Sequence, residues 1–234
     1  MNDTFPIAVV GELIGDQARS AMLVALLDGR ARAAGELALN AGISAQSASG
    51  HLSKLLDGGL LKVRSAGRHR FYSLAGAEVA HAMEALGAIA TKPRGSHAIR
   101  PRASGDLYLA RTCYDHLAGQ IAVEMAARLE KTAVLRTQGE LDFELGPHGK
   151  SWFTNLGIDV EELRRSRRCF ARQCVDWTER RPHLAGILGA ALCSRLIELG
   201  WVTRRQQTRA LRVTERGARE FRARFGLQLP AAML

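Results

Sequence analysis

The chain has 234 residues, enough for one large domain or two smaller ones that fold without a metal or a disulfide. Its four cysteines are irregularly spaced, and the first sixteen residues carry acids but no lysine or arginine. We therefore expect reduced thiols, a cytoplasmic location and no secretion signal. No apolar run is long enough to cross a bilayer, and the formal net charge of +10 favours a polyanionic partner.

This positive charge is unevenly distributed along the sequence. Residues 1–90 carry 8 Lys and Arg against 8 Asp and Glu, residues 91–106 carry 4 against 1, and residues 107–234 carry 21 against 14. Because the first segment has no net charge, any DNA that it binds must be held by a local basic patch.

Three helices are predicted before residue 43. Helical periodicity appears in AVVGELIG (residues 8–15) and in ARSAMLVALLDG (18–29), where Gly29 supplies a stop. A shorter helix is predicted in AAGELALNAG (33–42), with Gly42 in a position that favours a positive φ.

The next predicted helix, SAQSASGHLSKLLDGG (44–59), has an unusual outer face. Ser44 is suited to cap its start, and Ala48, Leu52 and Leu55 recur at the spacing of a core-facing stripe. A merely solvated helix generally carries Glu and Lys, whereas this one carries hydroxyls, an amide and an imidazole, which can reach base edges and phosphates. The predicted DNA contacts on this helix are Ser44, Gln46, Ser47, Ser49, His51 and Lys54.

A basic β-hairpin is predicted directly after this helix. The segment LLKVRSAGRHRFYSLAG (60–76) reads as two strands around the turn Ser65–Gly67, and its four basic residues give a local charge of +4. Either element alone would fit a solvated surface, but helix, turn, helix and basic hairpin in this order predict a winged helix. We expect the second helix in the major groove and Arg64, Arg68 and Arg70 of the wing on the backbone phosphates.

Residues 36–74 closely resemble the DNA-binding core of ArsR-type transcriptional regulators, and the likeness extends over about residues 10–90. Leu-Ala, Gly-x-Ser, His-Leu, Gly-Leu-hydrophobic and Gly-Arg-x-Arg-x-Tyr occur in turn. The resemblance implies a homodimer that binds operator DNA and represses until a small effector weakens binding. It also implies that the dimer pairs through the first helix, around Ile7 to Ile14, and through the helix after the wing, residues 76–90.

The sequence departs from the metal-sensing members of that family. These often carry Cys-x-Cys after Glu-Leu, where this chain has Glu36-Leu37-Ala38-Leu39-Asn40. Alanine and leucine cannot coordinate a metal, and the helix after the wing offers only His81 as a soft ligand. The resemblance therefore brings no metal site to the first ninety residues.

We predict three segments: a DNA-binding and dimerisation domain at 1–90, a basic linker at 91–106, and a sensor domain at 107–234. The linker is rich in proline and glycine and lacks apolar periodicity. Its four Lys and Arg residues either track phosphates or keep the linker soluble.

The third segment contains an internal repeat. HLAG occurs at residues 116–119 and again at 183–186, an offset of 67 that also aligns Arg128 with Arg195. Each copy is predicted to run helix, two short strands, helix, with HLAG as the helix start. The predicted fold class is mainly α with small β-hairpin wings (α+β): an N-terminal winged helix-turn-helix and a duplicated, winged-helix-like C-terminal domain.

The segment before each HLAG contains residues whose side chains could bind a ligand or a metal ion. In CYDHLAG, Cys113 and His116 are predicted to share one helical face, and in CVDWTERRPHLAG, Pro182 is predicted to start the helix. Three interpretations remain open: buried structural residues, an aromatic pocket for a small molecule, and a metal or thiol-redox site built on Cys113, His116 and Cys174. A thiolate beside Arg111 or Arg172 would have a lowered pKa. The candidate effector-binding residues are Cys113, Tyr114, Asp115, His116, Cys174, Asp176, Trp177 and His183.

The sequence thus predicts a DNA-binding regulator, acting as a repressor that a small effector releases from its operator. A metal- or redox-responsive regulator is the alternative, and no cofactor is required beyond such a metal ion or effector. A cysteine-dependent enzyme is a remote alternative, because cysteine, histidine and aspartate can form a nucleophilic group. The sequence contains no nucleophile elbow, phosphate loop or cofactor fingerprint, so we do not expect an enzyme.

Overall fold

The computed structural model describes residues 7–67, 69–89, 105–206 and 208–229. The chain divides into two compact units, Met1–Met83 and Glu84–Leu234. Of the basic linker predicted at 91–106, only Gly105 and Asp106 lie within the described residues, where they begin a helix. In the described part of the chain, no helix combines the length and the apolar character needed to span a bilayer.

The helices predicted for the first unit are confirmed. They are α1 (Ile7–Ile14), α2 (Gln17–Ala25), α3 (Ala34–Ala41) and α4 (Ala45–Asp57). Asp16 caps α2 by accepting a hydrogen bond from the backbone N–H of Arg19, and Ser44 caps α4 as predicted. Helix α3 ends at Gly42, whose φ of 66° is the left-handed conformation expected there.

A small antiparallel sheet is formed by strands on both sides of the α3–α4 pair in the sequence. Strands β1 (Arg32–Ala33), β2 (Leu61–Ala66) and β3 (His69–Leu74) pair in the order β1-β3-β2, and α5 (Ala77–Ile89) comes next. The predicted turn Ser65–Gly67 is wrong, because Ser65 and Ala66 are strand residues paired with Arg70 and His69. The tight turn starts at Gly67, whose φ of 57° suits a two-residue hairpin connection.

The core of the first unit comes from the apolar stripes of its helices. The three positions predicted to face inward on α4 are all buried, as are Leu37 and Ala38 of α3. Other fully buried side chains of this unit include Met22, Leu23, Leu26 and Leu74. Burial of one face of α4 leaves its opposite face to solvent.

After the last residues of α5, the second unit contains α6 (Gly105–Leu109) and then repeats one motif: hairpin, helix, hairpin, helix. The first repeat, residues 111–155, contains β4 (Arg111–Cys113), β5 (His116–Ala118), α7 (Gln120–Lys131), β6 (Leu135–Gln138), β7 (Asp142–Leu145) and α8 (Gly149–Asn155). After α9 (Val160–Arg164), the second repeat, residues 172–225, contains β8 (Arg172–Val175), β9 (Pro182–Ala185), α10 (Gly186–Glu198), β10 (Val202–Arg204), β11 (Leu211–Val213) and α11 (Glu215–Phe225). The predicted helix–strand–strand–helix order is therefore confirmed within a larger motif.

The predicted helical placement of Cys113 and His116 is wrong. They lie on neighbouring strands and pair directly across the β4–β5 hairpin, whose turn holds Tyr114 at a φ of 60°. Pro182 likewise begins strand β9 and does not start a helix. Strands of three or four residues are too short for periodicity to distinguish them from the turn of a helix.

Only the glycine of each HLAG phrase lies at the start of a helix, and the three residues before it belong to a strand. His116, Leu117 and Ala118 form β5, and Gly119 turns the chain into α7 at a φ of 91°. Gly186 has a φ of 78° in the second copy. A Cβ atom would lie 2.8 Å from the carbonyl oxygen of Tyr108 at Gly119, and 2.8 Å from that of Cys169 at Gly186. Both positions require glycine on account of φ and close backbone approach.

Each repeat pairs part of its backbone with a hairpin of the other, in an arrangement like that of two units related by a twofold axis. Strand β8 of the second repeat joins the hairpin of the first, where the N–H of Phe143 donates to the carbonyl of Ala171 at 3.0 Å. The N–H of Leu211 correspondingly donates to the carbonyl of Ala110 at 2.9 Å. One hydrophobic core joins both repeats and includes Leu117, Ile121, Phe143, Phe153, Leu184, Leu188, Trp201 and Phe221.

Candidate DNA interface and candidate metal centre

The polar face of α4 lies in solvent. Gln46, Ser47, Ser49 and Lys54 are exposed, whereas the apolar stripe on the other side of the helix is buried. The Gln46 side chain lies in the first turn, which is the part of a recognition helix that meets base edges in helix-turn-helix proteins.

The serine hydroxyls of α4 already make local hydrogen bonds. The Ser44 Oγ accepts from the N–H of Ser47 at 3.1 Å and lies 2.9 Å from the Ser47 Oγ. The Ser49 hydroxyl donates to the carbonyl of Ala45 at 3.2 Å. A hydroxyl can exchange such an exposed bond for a phosphate, but Ser44 also has a defined role as the helix cap.

His51 is placed differently from the other predicted contacts. Its ring is half-buried, and Nδ1 lies 3.5 Å from the Asp16 carboxylate that caps α2. The hydrogen bond from the backbone N–H of Arg19 lowers the pKa of Asp16, and burial raises it. Together with the Arg19 charge, the net result is a pKa below the usual range. The His51–Asp16 pair thus links α4 to the start of α2.

The wing presents cations on exposed strands. Every residue of β2 after Leu61 is exposed, including Lys62 and Arg64, and Arg70 at the start of β3 is exposed as well. Arg68, the remaining predicted wing contact, lies outside the described residues. The basic patch is local, as the zero net charge of residues 1–90 requires.

The structure brings four of the predicted effector residues together inside the second unit. Cys113 pairs across its hairpin with His116, and Cys174 pairs across the β8–β9 hairpin with His183. All four side chains are buried, and one ligand atom from each lies within 4.8 Å of the others. The two Sγ atoms are 4.0 Å apart, and the two imidazole rings have a centroid distance of 5.1 Å.

The Cys113 thiol is not activated by the neighbouring arginine. The hydrogen bond with Cys174, together with burial, raises the pKa of the Cys113 thiol well above its usual range. The sequence prediction of a lowered pKa is therefore wrong for Cys113. Arg111 is directed to Asp176 instead, with Nη2 at 2.7 Å from the carboxylate.

Asp176 is a buried hydrogen-bonding hub. It accepts from Arg111, from the N–H of Gly119 at 2.7 Å, and from the Thr178 hydroxyl at 2.6 Å. Burial alone would raise its pKa, but the Arg111 charge and the Thr178 hydroxyl hold the pKa of Asp176 well below its usual range. Asp115, its counterpart in the first repeat, is only partly buried and pairs with Arg168 at 2.6 Å.

The predicted aromatic residues do not join the histidines. Trp177 contacts Tyr108, with a ring-centroid distance of 5.9 Å, and lies under the Arg111 guanidinium at 5.1 Å. Tyr114 occupies the half-buried turn of the first hairpin. Trp177 thus covers the buried Arg111–Asp176 pair.

A cavity beside α7 is small. It has a volume of about 10 Å³ and is lined by apolar side chains, among them Leu117, Met125 and Leu184. Such a volume holds about one water molecule, whereas pockets for organic ligands measure roughly 300–1,000 Å³.

Sequence reasoning missed two parts of this centre. His183 was not grouped with the cysteines as a ligand, although its repetition within HLAG was a usable signal. The buried Arg111–Asp176 pair was also missed, because Arg111 and Asp176 are 65 positions apart and no periodic pattern connects them.

Comparisons with known proteins place the chain in a family. No family model matches it. It is 43% identical over 223 residues to a protein named "Uncharacterized HTH-type transcriptional regulator YdfF" from Bacillus subtilis (strain 168), covering 95% of this chain and 98% of that one. This similarity confirms the prediction of a regulator.

Solved structures match the first unit. HlyU from Vibrio cholerae is 29% identical and covers 37% of this chain and 94% of its own, with a TM-score of 0.34. The transcriptional repressor BigR from Xylella fastidiosa is 25% identical and covers 37% and 88%, also with a TM-score of 0.34. With the near-complete match to YdfF and the winged helix of residues 32–74, this chain belongs to the helix-turn-helix transcriptional regulators.

Proposed function

We propose that the chain is a homodimeric repressor that holds double-stranded operator DNA with α4 and the wing, and that an effector acting on the second unit releases it. The observation that carries the DNA part is the exposed polar face of α4 beside an exposed basic hairpin. Hydroxyls and an amide can hydrogen-bond to phosphates and base edges, and a face with few acids does not repel DNA.

The two elements have different roles in binding. Helix α4 would enter the major groove, with its buried stripe fixing it on the core, and the Gln46 amide is the group best suited to a bidentate contact with adenine. Arg64 and Arg70 would contact phosphates, which position the protein without specifying sequence. Lys54, at the end of α4, is also suited to a phosphate.

The dimer part of the proposal is supported by α1. None of its eight residues is fully buried, and Ile7 and Val9 are 67% and 58% exposed. Two apolar side chains left in solvent on one short helix favour pairing with a second copy. Sedimentation of the full chain should give the dimer mass, and Val9→Glu should shift it towards the monomer.

For the effector, the metal- or thiol-responsive alternative now has specific support. The cavity beside α7 is too small for an organic ligand, while Cys113, His116, Cys174 and His183 form a compact buried donor set. This donor set therefore supports an ion or a redox change as the signal of the second unit.

The test of DNA binding is the double variant Arg64→Ala, Arg70→Ala. Binding to a promoter fragment is measured by mobility shift or anisotropy at several salt concentrations. Losing two phosphate contacts should weaken binding to all sequences and lower the slope of log K against log[salt] by about 2, because each contact contributes roughly 0.9.

The matched control is Arg136→Ala, Arg219→Ala, which removes the same charge from exposed positions of the second unit. It should leave the slope unchanged. An equal loss of slope in both variants would show that binding depends on total charge, and the wing assignment would then be wrong.

A further inference from the structure

We propose that Cys113, His116, Cys174 and His183 form a tetrahedral binding site for a divalent, thiophilic metal ion of the zinc class. The inference deepens the effector part of the proposed function and rests on it only where release from DNA is concerned. The metal site itself depends on the geometry of the second unit alone.

The distances within the cluster fit such an ion closely. A Zn–S bond of about 2.3 Å in a tetrahedral site separates two sulfur atoms by roughly 3.8 Å. The Cys113 and Cys174 Sγ atoms lie 4.0 Å apart, and all four ligand atoms fall within 4.8 Å. Small side-chain rotations would therefore complete the coordination without backbone movement.

The duplication explains why the ligands meet. Each repeat supplies one cysteine and one histidine that are cross-strand partners in its first hairpin. Cross-strand partners point to the same face of a hairpin, and the pseudo-twofold turns these two faces towards each other. The resulting set of two sulfur and two nitrogen donors is one that zinc binds tetrahedrally in structural sites.

Both histidines have a carboxylate on the Nδ1 side of the ring. Asp115 Oδ1 lies 3.3 Å from Nδ1 of His116, and Asp176 Oδ2 lies 4.0 Å from Nδ1 of His183. Metal-binding histidines commonly make this second contact, which orients the ring and fixes its tautomer. The 3.3 Å contact assigns Nε2 of His116 to the metal. The Asp176 carboxylate is too far from His183 for a hydrogen bond but lies on the Nδ1 side of that ring, which favours the same assignment.

The two carboxylates are themselves anchored by arginines. Arg168 holds Asp115 at 2.6 Å, and Arg111 holds Asp176 at 2.7 Å. The Arg111–Asp176 pair crosses from the first repeat to the second, whereas Arg168 precedes the second repeat and reaches Asp115 in the first. In both halves, therefore, the aspartate beside the histidine is held by an arginine from outside its own hairpin.

Charge selects the kind of ion. Binding releases one proton from each thiol, so two thiolates and a divalent cation give a neutral centre. A monovalent ion would leave a net negative charge among side chains that are at most 5% exposed, which is costly. Mg²⁺ and Ca²⁺ prefer oxygen ligands, which this donor set lacks.

The experiment is a Co²⁺ titration of the reduced full-length chain, followed by competition with Zn²⁺. We expect one Co²⁺ per chain, the strong visible absorption of tetrahedral cobalt, and a thiolate-to-cobalt charge-transfer band, all abolished by Zn²⁺. Cys113→Ser and Cys174→Ser should each weaken binding at least about 100-fold, since removing even an outer-shell partner costs about 10- to 100-fold.

Two matched controls separate ligand loss from general damage. Cys193→Ser removes a buried cysteine elsewhere in the same unit, and His148→Asn removes an exposed histidine. Both should bind Co²⁺ like the unaltered chain. Equal weakening by Cys193→Ser and Cys113→Ser would overturn the assignment.

The unaltered chain provides a test that does not depend on folding of the variants. Failure of the reduced chain to bind Co²⁺, or binding without the thiolate band, would overturn the site. So would ready air oxidation to a Cys113–Cys174 disulfide in a chain that takes no metal, which would make the pair a redox centre. Promoter binding measured on the same samples keeps the two proposals apart: lost DNA binding with intact Co²⁺ binding contradicts only the proposed function.

Discussion

Helix α4 precedes hairpin β2–β3, and helix α10 precedes hairpin β10–β11, so the two regions have the same order of elements. They differ in which side chains of the helix are exposed to solvent. Three residues of α4 are buried and its polar face is exposed, whereas α10 buries Leu188, Gly189, Leu192, Cys193 and Leu196 in the shared core. Under the proposed function, the composition of the exposed helix face, and not the order of elements alone, distinguishes the helix that binds DNA from the one that packs in the core.

The comparison also separates the roles of polar residues. In the first unit, the polar groups of α4 and the wing lie outside, where their substitution should affect DNA binding and hardly affect folding. In the second unit, Arg111, His116, Asp176 and His183 are buried, so their substitution should first affect stability or metal binding. Three substitutions test this division.

The largest expected effect is that of Asp176→Ala. The substitution leaves the buried Arg111 guanidinium without its 2.7 Å partner and removes the acceptor for the Gly119 N–H and the Thr178 hydroxyl. Breaking a buried pair on one side costs about 3–5 kcal/mol. Urea unfolding in the presence of a chelator, monitored by tryptophan fluorescence, reports on the second unit, because all three tryptophans lie there.

Asp115→Ala is the matched control. It breaks the equivalent carboxylate–arginine pair of the first repeat, but the Arg168 side chain is 44% exposed and water can replace the contact. The free energy of unfolding should fall by less than about 1 kcal/mol. Equal losses in both variants would contradict the distinction between a buried and a solvated pair.

Most of the first unit could be predicted from sequence, because its helices are long enough to show their period and carry explicit end signals. Ser44 and Gly42 mark the boundaries of α4 and α3 as predicted. Strand β1, with two residues, has no period and was missed. The hairpins around Cys113 and Cys174 were missed for the same reason, since three or four residues of mixed polarity fit helix and strand equally.

The buried centre was only partly predictable. The repeated Cys-x-Asp and HLAG phrases pointed to the chemically able residues, but their meeting depends on cross-repeat packing. Cys113 and Cys174 are 61 positions apart, and a local pattern cannot show that their thiols lie 4.0 Å from each other. Local reasoning placed Cys113 beside His116, although on a helix, and did not place Cys174 beside His183.

The next effect in size is that of Gln46→Ala. Losing an amide that contacts one base pair should reduce discrimination at that position by about 1–3 kcal/mol. Stability should change by no more than about 0.5 kcal/mol, because Gln46 is exposed. Competitive selection on a randomised promoter fragment measures the change in preference.

Gln120→Ala provides the control, since Gln120 is an exposed amide at the start of α7, in the other unit. Sequence preference should remain that of the unaltered chain. A shift in preference with Gln120→Ala, and none with Gln46→Ala, would assign base recognition to the second unit.

The smallest expected effect is that of Ser44→Ala, and it concerns an outward hydroxyl with a structural role. The Ser44 Oγ accepts from the N–H of Ser47 and caps α4, so its loss should cost about 1 kcal/mol of stability. Urea unfolding followed by circular dichroism should show the shift, while tryptophan fluorescence from the second unit should not. Ser44→Asp keeps the cap but adds a negative charge where we expect phosphate, so it should fold normally and bind DNA more weakly. If Ser44→Asp bound DNA as tightly as the unaltered chain, Ser44 would be a cap alone, and the DNA contact would begin further along α4.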